Sequence, residues 1–358
     1  MISNKGTTMI KYNFIHLSHT DLDGYCCQYM TKKIYTNAIY LNANYGFEVK
    51  ENIKYIFGLI KNSEKKDIFL LITDINLSIK EAIQIDDFVA KQNSLGFNIK
   101  LQLLDHHISG LKCANRFSWY KLDDTKSASK ITYEYLKTNF ENFEKTCENG
   151  FDDYIKAVNA VDIWLEKDIY FEYGKVLLTM ISKSFEINSL MFDTNSRNYR
   201  FYLIEKSIKL IHEKDANIKL DETLYFLKKD FMRIGNTNDT FENIRSQYIS
   251  KILSDEKEKL MVKYLNYKGI LTYSMGNISI LANKFLKTNN DIDFFMDINK
   301  KGRISIRSND KIDVSKLAFD INEGGGHKNA AGVSLNDFRE DIFYTNINNF
   351  IQQKLDNI

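Results

Sequence analysis

At 358 residues, the chain is long for a single hydrophobic core, so we expect two domains. Its 49 basic and 47 acidic residues give a net charge of +2, which excludes a strong overall field for nucleic acids or membranes. No segment approaches the roughly 18 apolar residues of a membrane span, and residues 1–14 lack the continuous apolar stretch of a signal peptide. The cysteines Cys26, Cys27, Cys113 and Cys147 form no CxxC pair, which fits a reducing compartment. We therefore expect a cytoplasmic protein without membrane association.

The first half of the chain alternates predicted strands and helices. The strands are predicted at 12–17, 38–44, 68–73 and 98–104, and the helices at 24–35, 48–62, 78–92, 127–139 and 152–161. Strands separated by helical stretches of this length indicate βαβ units and a parallel sheet. Such a sheet binds its ligands beyond the carboxyl ends of its strands.

The second half of the chain has a different pattern of predicted elements. From about 194 to 264, charged stretches with apolar residues three to four apart predict helices, including one over 243–264. A second α/β unit begins near Gly269. Its elements are predicted as strands at 270–274, 278–281, 293–299 and 303–308, a helix at 314–321, a loop at 324–327, a short strand and a closing helix from Asp337. The predicted fold is thus α/β, with a parallel-sheet domain at 10–190, a helical connector at 191–265 and a smaller α/β domain at 266–358.

Acidic and histidine residues gather where the predicted elements of the first half end. His19, Asp21 and Asp23 follow the first strand at alternate positions and can face one pocket. Asp74 follows the 68–73 strand, and Asp162 ends the 152–161 helix. Asp105, His106 and His107 follow the 98–104 strand. The candidate metal ligands are His19, Asp21, Asp23, Asp74, His106 and Asp162.

These residue types suit two divalent metals. Oxygen-dominated coordination with some imidazole favours Mn²⁺ or Mg²⁺ over zinc. Two such ions can hold a bridging hydroxide and clamp both oxygens of an in-line displacement at phosphorus, with Asp74 able to bridge them. Asp105 is predicted to orient an imidazole, and His107 could meet the charge of a phosphate. The sequence therefore predicts a two-metal phosphoesterase.

Simpler explanations exist for each motif alone. Asp and His are common in turns, and Asp74 by itself could cap the next helix. The combination in this order, each at an element end, favours the metal site. His16, inside an apolar strand, and His212, in a charged helix, are predicted to be structural.

A glycine motif and a basic strand mark the second unit. Residues 323–332 read EGGGHKNAAG, and three consecutive glycines leave the backbone free to present N–H groups to an anion. The strand at 303–308 places Arg303, Ser305 and Arg307 on one face, although a hairpin with a solvated basic edge would look similar. The candidate substrate-binding residues are Arg303, Arg307, Gly325, Gly326, His327, Lys328 and Asn329.

Together, the motifs HTDLDG, the Asp74 strand end, DHH, Asp162, the Ser127-Ala128-Ser129 helix start and GGGHKNAAG resemble the DHH phosphoesterase superfamily with its DHH-associated C-terminal domain. The resemblance implies two manganese ions in a cleft between the domains. It implies that His19 and Asp21 hold one ion, that Asp23, His106 and Asp162 hold the other, and that Asp74 bridges them. His107 would approach the scissile phosphate, while Arg307 and His327 would grip substrate phosphates.

The spacing of His19, two residues before Asp21, is similar to the second nanoRNase branch (NrnB-like), which is related to the RecJ exonucleases. The resemblance implies an exoribonuclease that cuts short oligoribonucleotides to nucleoside monophosphates. The alternatives are a pAp phosphatase, a phosphodiesterase for pApA, c-di-AMP or cAMP and cGMP, and a DNA exonuclease. A nucleotide-binding regulator without metal is the alternative outside enzymes. The expected partners are short RNA or nucleotide phosphoesters, and a homodimer stays open.

Overall fold

The structure is a computed structural model that describes residues 13–236 and 238–358. Contacts divide the chain into two compact units, one extending to Lys183 and including 200–224, the other formed by 184–199 and 225–358. The segment 191–265, predicted as a connector, contributes residues to both units. Residues 10–12, which the sequence places in the first domain, with Tyr12 starting its first strand, lie outside the described residues.

The first unit is built on a parallel sheet. Its strands are β1 (Asn13–Ser18), β2 (Ala38–Asn42), β3 (Asp67–Thr73), β4 (Asn98–Asp105) and β5 (Tyr120–Leu122). Within the described residues the order is β2-β1-β3-β4-β5, and every neighbouring pair is parallel. Since β1 lies beside β3, which lies beside β4, the residues that follow these strands emerge at one edge of the sheet.

Helices connect these strands and continue beyond them. They are α1 (Leu22–Lys32), α2 (Phe47–Lys61), α3 (Ile79–Ser94), α4 (Leu111–Ala114), α5 (Ala128–Asn139), α6 (Phe151–Asp162), α7 (Phe171–Ser182), α8 (Asp193–Ile208) and α9 (Ala216–Met232). Side chains set several starts: Ser78 and Glu81 form a capping box at α3, and Ser127 accepts from the Lys130 N–H at α5. The predicted βαβ pattern is confirmed.

Both faces of this sheet are buried, as the apolar strand sequences require. On one face Leu17, Leu70 and Ile72 pack with residues of α2 and α3. On the other, Phe14, Phe69 and Leu71 form a second cluster with Tyr35 and Ile131, and Phe14 stacks on Tyr35 with ring centroids 3.7 Å apart. Burying one such side chain contributes about 1.5–3 kcal/mol. The rigid strands therefore fix the positions at which their polar ends emerge.

The second unit contains a mixed sheet. Its elements are α10 (Phe241–Asp255), α11 (Lys257–Leu260), β6 (Met261–Tyr264), β7 (Tyr267–Tyr273), α12 (Ser279–Thr288), β8 (Phe294–Ile298), β9 (Arg303–Ser308), α13 (Val314–Asn322), β10 (Gly325–His327), β11 (Ala330–Ser334) and α14 (Tyr344–Asp356). The described strands lie in the order β10-β11-β9-β8-β7-β6, and only the β7–β8 pair among them is parallel. Ile304 and Ile306 of β9 point into the core, so the predicted alternation of this strand is confirmed.

Four predicted elements of this unit differ in the structure. The predicted strand at 278–281 forms the start of α12 and the residue before it. Its apolar residues together with Ala282 and Phe285 make one buried helical face, which is a stronger signal than the short alternation of apolar and polar residues. The predicted helix at 243–264 ends at Asp255. The last four residues of the prediction form the strand β6 instead, because they pair with β7. The closing helix begins at Tyr344 and not at Asp337. The predicted 324–327 loop includes the short strand β10.

Among residues 13–236 and 238–358, no helix is both long enough and apolar enough to cross a membrane.

Candidate metal centre and active site

The candidate ligands of the first unit lie at the carboxyl edge of its sheet, where the ends of three strands and two helices place them, with Asp23 in α1 and Asp162 in α6. His19 and Asp21 follow β1, and Asp21 also caps α1 by accepting from the Gly24 N–H at 3.0 Å. Gly24 is required here, because a Cβ would lie 2.4 Å from the carbonyl oxygen of His19. Asp74 directly follows β3, with a positive φ of 57°. A non-glycine residue in this region is strained, and such strain is concentrated at functional sites.

Three side chains form the first donor group. His19 Nδ1 lies 2.8 Å from Asp21 Oδ2 and 3.7 Å from Asp74 Oδ2. One donor atom from each residue falls within 4.8 Å of the other two, a spacing that a single ion can span. Burial alone would raise the pKa of Asp21, but the hydrogen bond and charge of His19 and the Gly24 N–H lower it.

The second donor group consists of Asp23, His106 and Asp162, again with donor atoms within 4.8 Å of one another. His106 Nε2 lies 3.5 Å from Asp162 Oδ2. The buried Asp23 carboxylate accepts from the N–H groups of Ala128 and Ser129, at 2.7 and 2.9 Å. Because these N–H groups begin α5, the helix N-terminus stabilises the carboxylate charge. Each Asp23 oxygen keeps a lone pair for a metal.

Asp74 joins the two groups. Its Oδ2 faces His19, and its Oδ1 lies 3.4 Å from Nε2 of His106. The six sequence-predicted ligands are thus brought together, with Asp74 between the two groups.

The carboxylates lie so close together that their negative charges require cations to balance them. Oδ2 of Asp74 and Oδ2 of Asp162 are buried and accept no hydrogen bond within the described residues. Burial and the neighbouring carboxylates raise the pKa of Asp74 well above its usual range and that of Asp162 to about 9. Burial lowers the pKa of His106, which favours the neutral imidazole that ligates metals. The donor set therefore fits divalent ions, which would cancel this repulsion.

His107 is oriented by Asp105, and one of its ring nitrogens lies within 4.8 Å of donor atoms of Asp74 and His106. Its Nδ1 lies 2.7 Å from Oδ1 of the buried Asp105, whose Oδ2 accepts from the Tyr120 hydroxyl at 2.6 Å. Burial lowers the pKa of His107, but the hydrogen bond and charge of Asp105 outweigh it and raise the pKa. Gly110 makes room for this chain, because a Cβ there would meet the Tyr120 hydroxyl at 2.1 Å. The imidazole that Asp105 orients is therefore His107.

One aromatic residue of this cluster does not emerge from the sequence. The Tyr45 hydroxyl lies 3.0 Å from Nε2 of His107, and its ring lies 4.8 Å from that of His19, centroid to centroid. No motif marks Tyr45. Its position after β2, at the same edge of the sheet, is the signal that could have suggested it.

In the second unit, the glycine motif forms one end of the mixed sheet. His327, Ala330 and Arg307 lie opposite one another on β10, β11 and β9, and residues in such register point to the same face. Beside them, Gly325 and Gly332 lie in register with Ser305. A Cβ on Gly325 would meet nothing within 4 Å. We call this set of residues the glycine platform (Ser305, Arg307, Gly325, His327 and Gly332); it carries a guanidinium and an imidazole beside its glycines.

The other predicted residues of this region lie around the platform. Gly326 has a φ of 152°, and a Cβ there would lie 2.4 Å from the Ala330 carbonyl oxygen. Asn329 exchanges two hydrogen bonds of 2.9 Å with Asp310, and Lys328 lies 3.5 Å from the same carboxylate. Arg303 is exposed at the opposite end of β9. Asn329 thus ties the turn between β10 and β11 to the segment that follows β9.

Two histidines lie outside the cluster. His16 is buried, with one ring nitrogen 2.9 Å from the Thr31 hydroxyl and the other 2.8 Å from that of Thr73. His212 pairs with Asp153 at 2.8 Å on the surface. Neither belongs to a donor group.

Comparisons with known proteins agree with this geometry. A DHHA1 domain matches residues 257–357. The chain is 40% identical over 342 residues to a 3′,5′-cyclic-nucleotide phosphodiesterase of Helicobacter pylori (strain ATCC 700392 / 26695), covering 96% of this chain and 98% of that protein. It is also similar to the crystal structure of a protein from Helicobacter pylori G27, with a TM-score of 0.88 and 39% identity over 96% of this chain and 99% of the other.

The sheet, the clustered carboxylates and histidines, and these relatives define a phosphoesterase, an enzyme that hydrolyses phosphate esters. The chain belongs to the DHH phosphoesterase family and carries the DHH-associated domain of that family.

Proposed function

We propose that this protein is a two-metal phosphodiesterase of small nucleotides. The observation that carries the proposal is the position of Asp74, whose two carboxylate oxygens face different donor groups, at 3.7 and 3.4 Å from the nearest nitrogens of His19 and His106. A carboxylate between two such groups is the arrangement of a bridging ligand. Two-metal sites of this kind are typical of enzymes that act on phosphate esters.

The metals are proposed to be manganese, with magnesium as the other candidate. His19 and Asp21 would hold one ion, Asp23, His106 and Asp162 the other, and Asp74 both. Carboxylates outnumber imidazoles in this set, which favours a hard divalent ion over zinc. When bound, the ions would stabilise charge on the phosphate and lower the pKa of water.

The chain's own residues would act around the phosphate. Asp105 fixes the His107 ring through Nδ1, so that Nε2 points away from Asp105 toward the open side of the site, where Tyr45 is 42% exposed. We propose that His107 contacts the scissile phosphate there. In the second unit, the glycine platform would bind a further phosphate through Arg307, His327 and the backbone at Gly325 and Gly326, with Lys328 adding charge.

The first substrate class that we propose is the 3′,5′-cyclic nucleotides, cAMP and cGMP. It rests on the 40% identity, across nearly the whole chain, to a relative that bears this activity in its name.

The second class is short oligoribonucleotides, cut to nucleoside monophosphates, and a separate observation favours it. Arg307 and Arg303 occupy the same strand four residues apart, about 13 Å at the rise of a strand. The single phosphate of a cyclic mononucleotide is the scissile one, whereas an oligonucleotide presents further phosphates beside it. Short RNA would therefore give both arginines a role.

The test is a panel of substrates at equal concentration with Mn²⁺: cAMP, cGMP, pApA, a five-mer RNA, pAp and long single-stranded DNA. We expect kcat/KM to be highest for the cyclic nucleotides or for the short RNAs, and this ranking decides between the two classes. Preference for pAp would make the enzyme a phosphatase, and preference for long DNA an exonuclease; either result would refute the proposal.

A further inference from the structure

The loop between β2 and α2 is tied to the loop that carries His19. The Asn42 side chain donates to the His19 carbonyl oxygen at 2.8 Å, and the Ala43 N–H donates to that of Ser18 at 3.0 Å. The Thr20 hydroxyl donates to the Asn44 side chain at 2.6 Å. These contacts hold the next residue, Tyr45, at the metal centre.

Two further contacts complete the loop. Asn44 bonds Glu48 of α2 through its N–H at 2.8 Å and through its side chain at 3.1 Å. Gly46 then turns into α2 with a φ of 81° that a glycine accepts without strain. Tyr45 is thus fixed from both sides although its side chain is 42% exposed.

The Tyr45 hydroxyl lies beside Nε2 of His107, the ring nitrogen proposed to contact the substrate. Nδ1 of His107 lies 2.7 Å from the Asp105 carboxylate, and the Tyr45 hydroxyl lies 3.0 Å from Nε2 and 3.5 Å from Nδ1 of the same ring. The same hydroxyl is 3.4 Å from the backbone oxygen of Asp74. Its ring meets the rings of His107 and His19, at 5.6 and 4.8 Å between centroids.

We propose that Tyr45 is a substrate-contacting residue whose hydroxyl donates a hydrogen bond to the same phosphate oxygen that His107 contacts. The inference rests on the phosphodiester chemistry of the proposed function, at the scissile phosphate. Without substrate, the hydroxyl lies beside Nε2 of His107 and donates to the Asp74 backbone oxygen. When a phosphate binds, its charged oxygen is a stronger acceptor than that carbonyl oxygen, and the hydroxyl turns to it while the ring keeps its place.

A purely structural role would explain less. The ring alone provides the packing against His19 and His107, and the loop is anchored by Asn42, Asn44 and Gly46. Within the described residues, the hydrogen-bond partners of the hydroxyl are the His107 ring and the Asp74 backbone oxygen, both in the site. A partly exposed hydroxyl beside these groups is suited to contact a ligand.

The test is Tyr45→Phe, which keeps the ring and removes only the hydroxyl. With Mn²⁺, we expect kcat/KM to fall about ten- to a hundredfold, the range for one lost hydrogen bond to a charged group. The loss should be equal for bis-p-nitrophenyl phosphate and for nucleotides, because it concerns the scissile phosphate. Inhibition by AMP should weaken about tenfold, and manganese content should match that of the wild type. Tyr225→Phe, at an exposed tyrosine of α9, is the matched control and should stay within about twofold.

A double variant tests whether both groups address one oxygen. Tyr45→Phe added to His107→Ala should lower kcat/KM less than about threefold further, because the shared contact is already disturbed. A full tenfold additional loss would place the hydroxyl elsewhere and overturn the proposal. So would Tyr45→Phe activity within about threefold of wild type, or loss of manganese in proportion to activity. Since bis-p-nitrophenyl phosphate reports on the scissile phosphate alone, this test stands even if the nucleotide substrates proposed above prove wrong.

Discussion

Replacing Arg307 by alanine removes the guanidinium of the glycine platform and leaves the metal centre intact. The guanidinium donates to the Ile306 carbonyl oxygen at 2.9 Å and to the Ser279 hydroxyl at 3.2 Å. These bonds already order the side chain, so little entropy is lost when it binds an anion. A charge-assisted contact of this kind contributes about 1.5–3 kcal/mol. At about 1.4 kcal/mol per tenfold, kcat/KM for pApA should fall roughly ten- to a hundredfold.

The assay compares substrates that differ in the phosphates beside the scissile one. Bis-p-nitrophenyl phosphate and cAMP have none, so Arg307→Ala should hydrolyse both almost as the wild type does. The matched control is Arg303→Ala, on the same strand and face but at its exposed other end. We expect this control to lower activity on the five-mer RNA and not on pApA, because only the longer substrate reaches it.

The outcome that refutes this division of roles is an equal loss on all substrates. Loss of manganese from Arg307→Ala would refute it as well, because the two hydrogen bonds of this side chain go to Ile306 and Ser279 and not to a predicted ligand. Unfolding of the variant is not expected to account for a loss of activity. The two hydrogen bonds that are lost are partly exposed, and such surface changes alter the free energy of unfolding by less than about 0.5 kcal/mol.

Three further predictions concern the metals and the second unit. Dialysis against EDTA should abolish activity, and Mn²⁺ should restore it better than Zn²⁺ or Ca²⁺; full activity in excess chelator would contradict the metal site. Asp74→Asn tolerates the positive φ but removes the charge between the two donor groups, so turnover should fall at least about a thousandfold; a loss within tenfold would reduce Asp74 to a helix cap. Burial raises the pKa of Asp297 from 3.8 to about 6 despite bonds from Met275 and Thr272. The folded state therefore binds this proton more tightly than the unfolded state, and the free energy of unfolding falls as the pH rises from about 4 to about 6. Asp297→Asn removes this cost. It should raise the free energy of unfolding by up to about 3 kcal/mol at pH 7.5 and by roughly half as much at pH 5. Urea unfolding in EDTA at both pH values measures this, and an equal gain at both would show that the charge is not the cause.

Much of the first unit could be predicted because two simple patterns agree there. The strand ending at Thr73 is a continuous apolar run, which only a sheet covered on both faces can bury, and the strands ending at Ser18 and Asp105 add further apolar residues around it. Parallel strands end at one edge, so the residues that follow them had to meet. The convergence of His19, Asp74 and His106 follows from the order of the chain alone.

In the second unit, short apolar runs left the element type undecided. The run at 278–281 alternates like a strand, yet its neighbours Ala282 and Phe285 complete a helical face that the sheet buries. The four residues of β6 continue a helical pattern, and only pairing with β7 makes them a strand. Periodicity cannot separate the two structures over so few residues.

The sequence by itself determined the fold class, the strand ends and the six candidate ligands, because these depend on which residues are apolar and in what order they come. The tertiary structure alone decided which atoms meet. It turned Asp105 toward His107, placed Ala128 and Ser129 against Asp23, and brought Tyr45 over His19. Each of these contacts joins segments whose approach depends on packing and loop geometry. The pattern along the chain predicts on which face of a strand or helix a side chain lies. Which residue it contacts across the site is decided only when the surrounding helices and loops pack together.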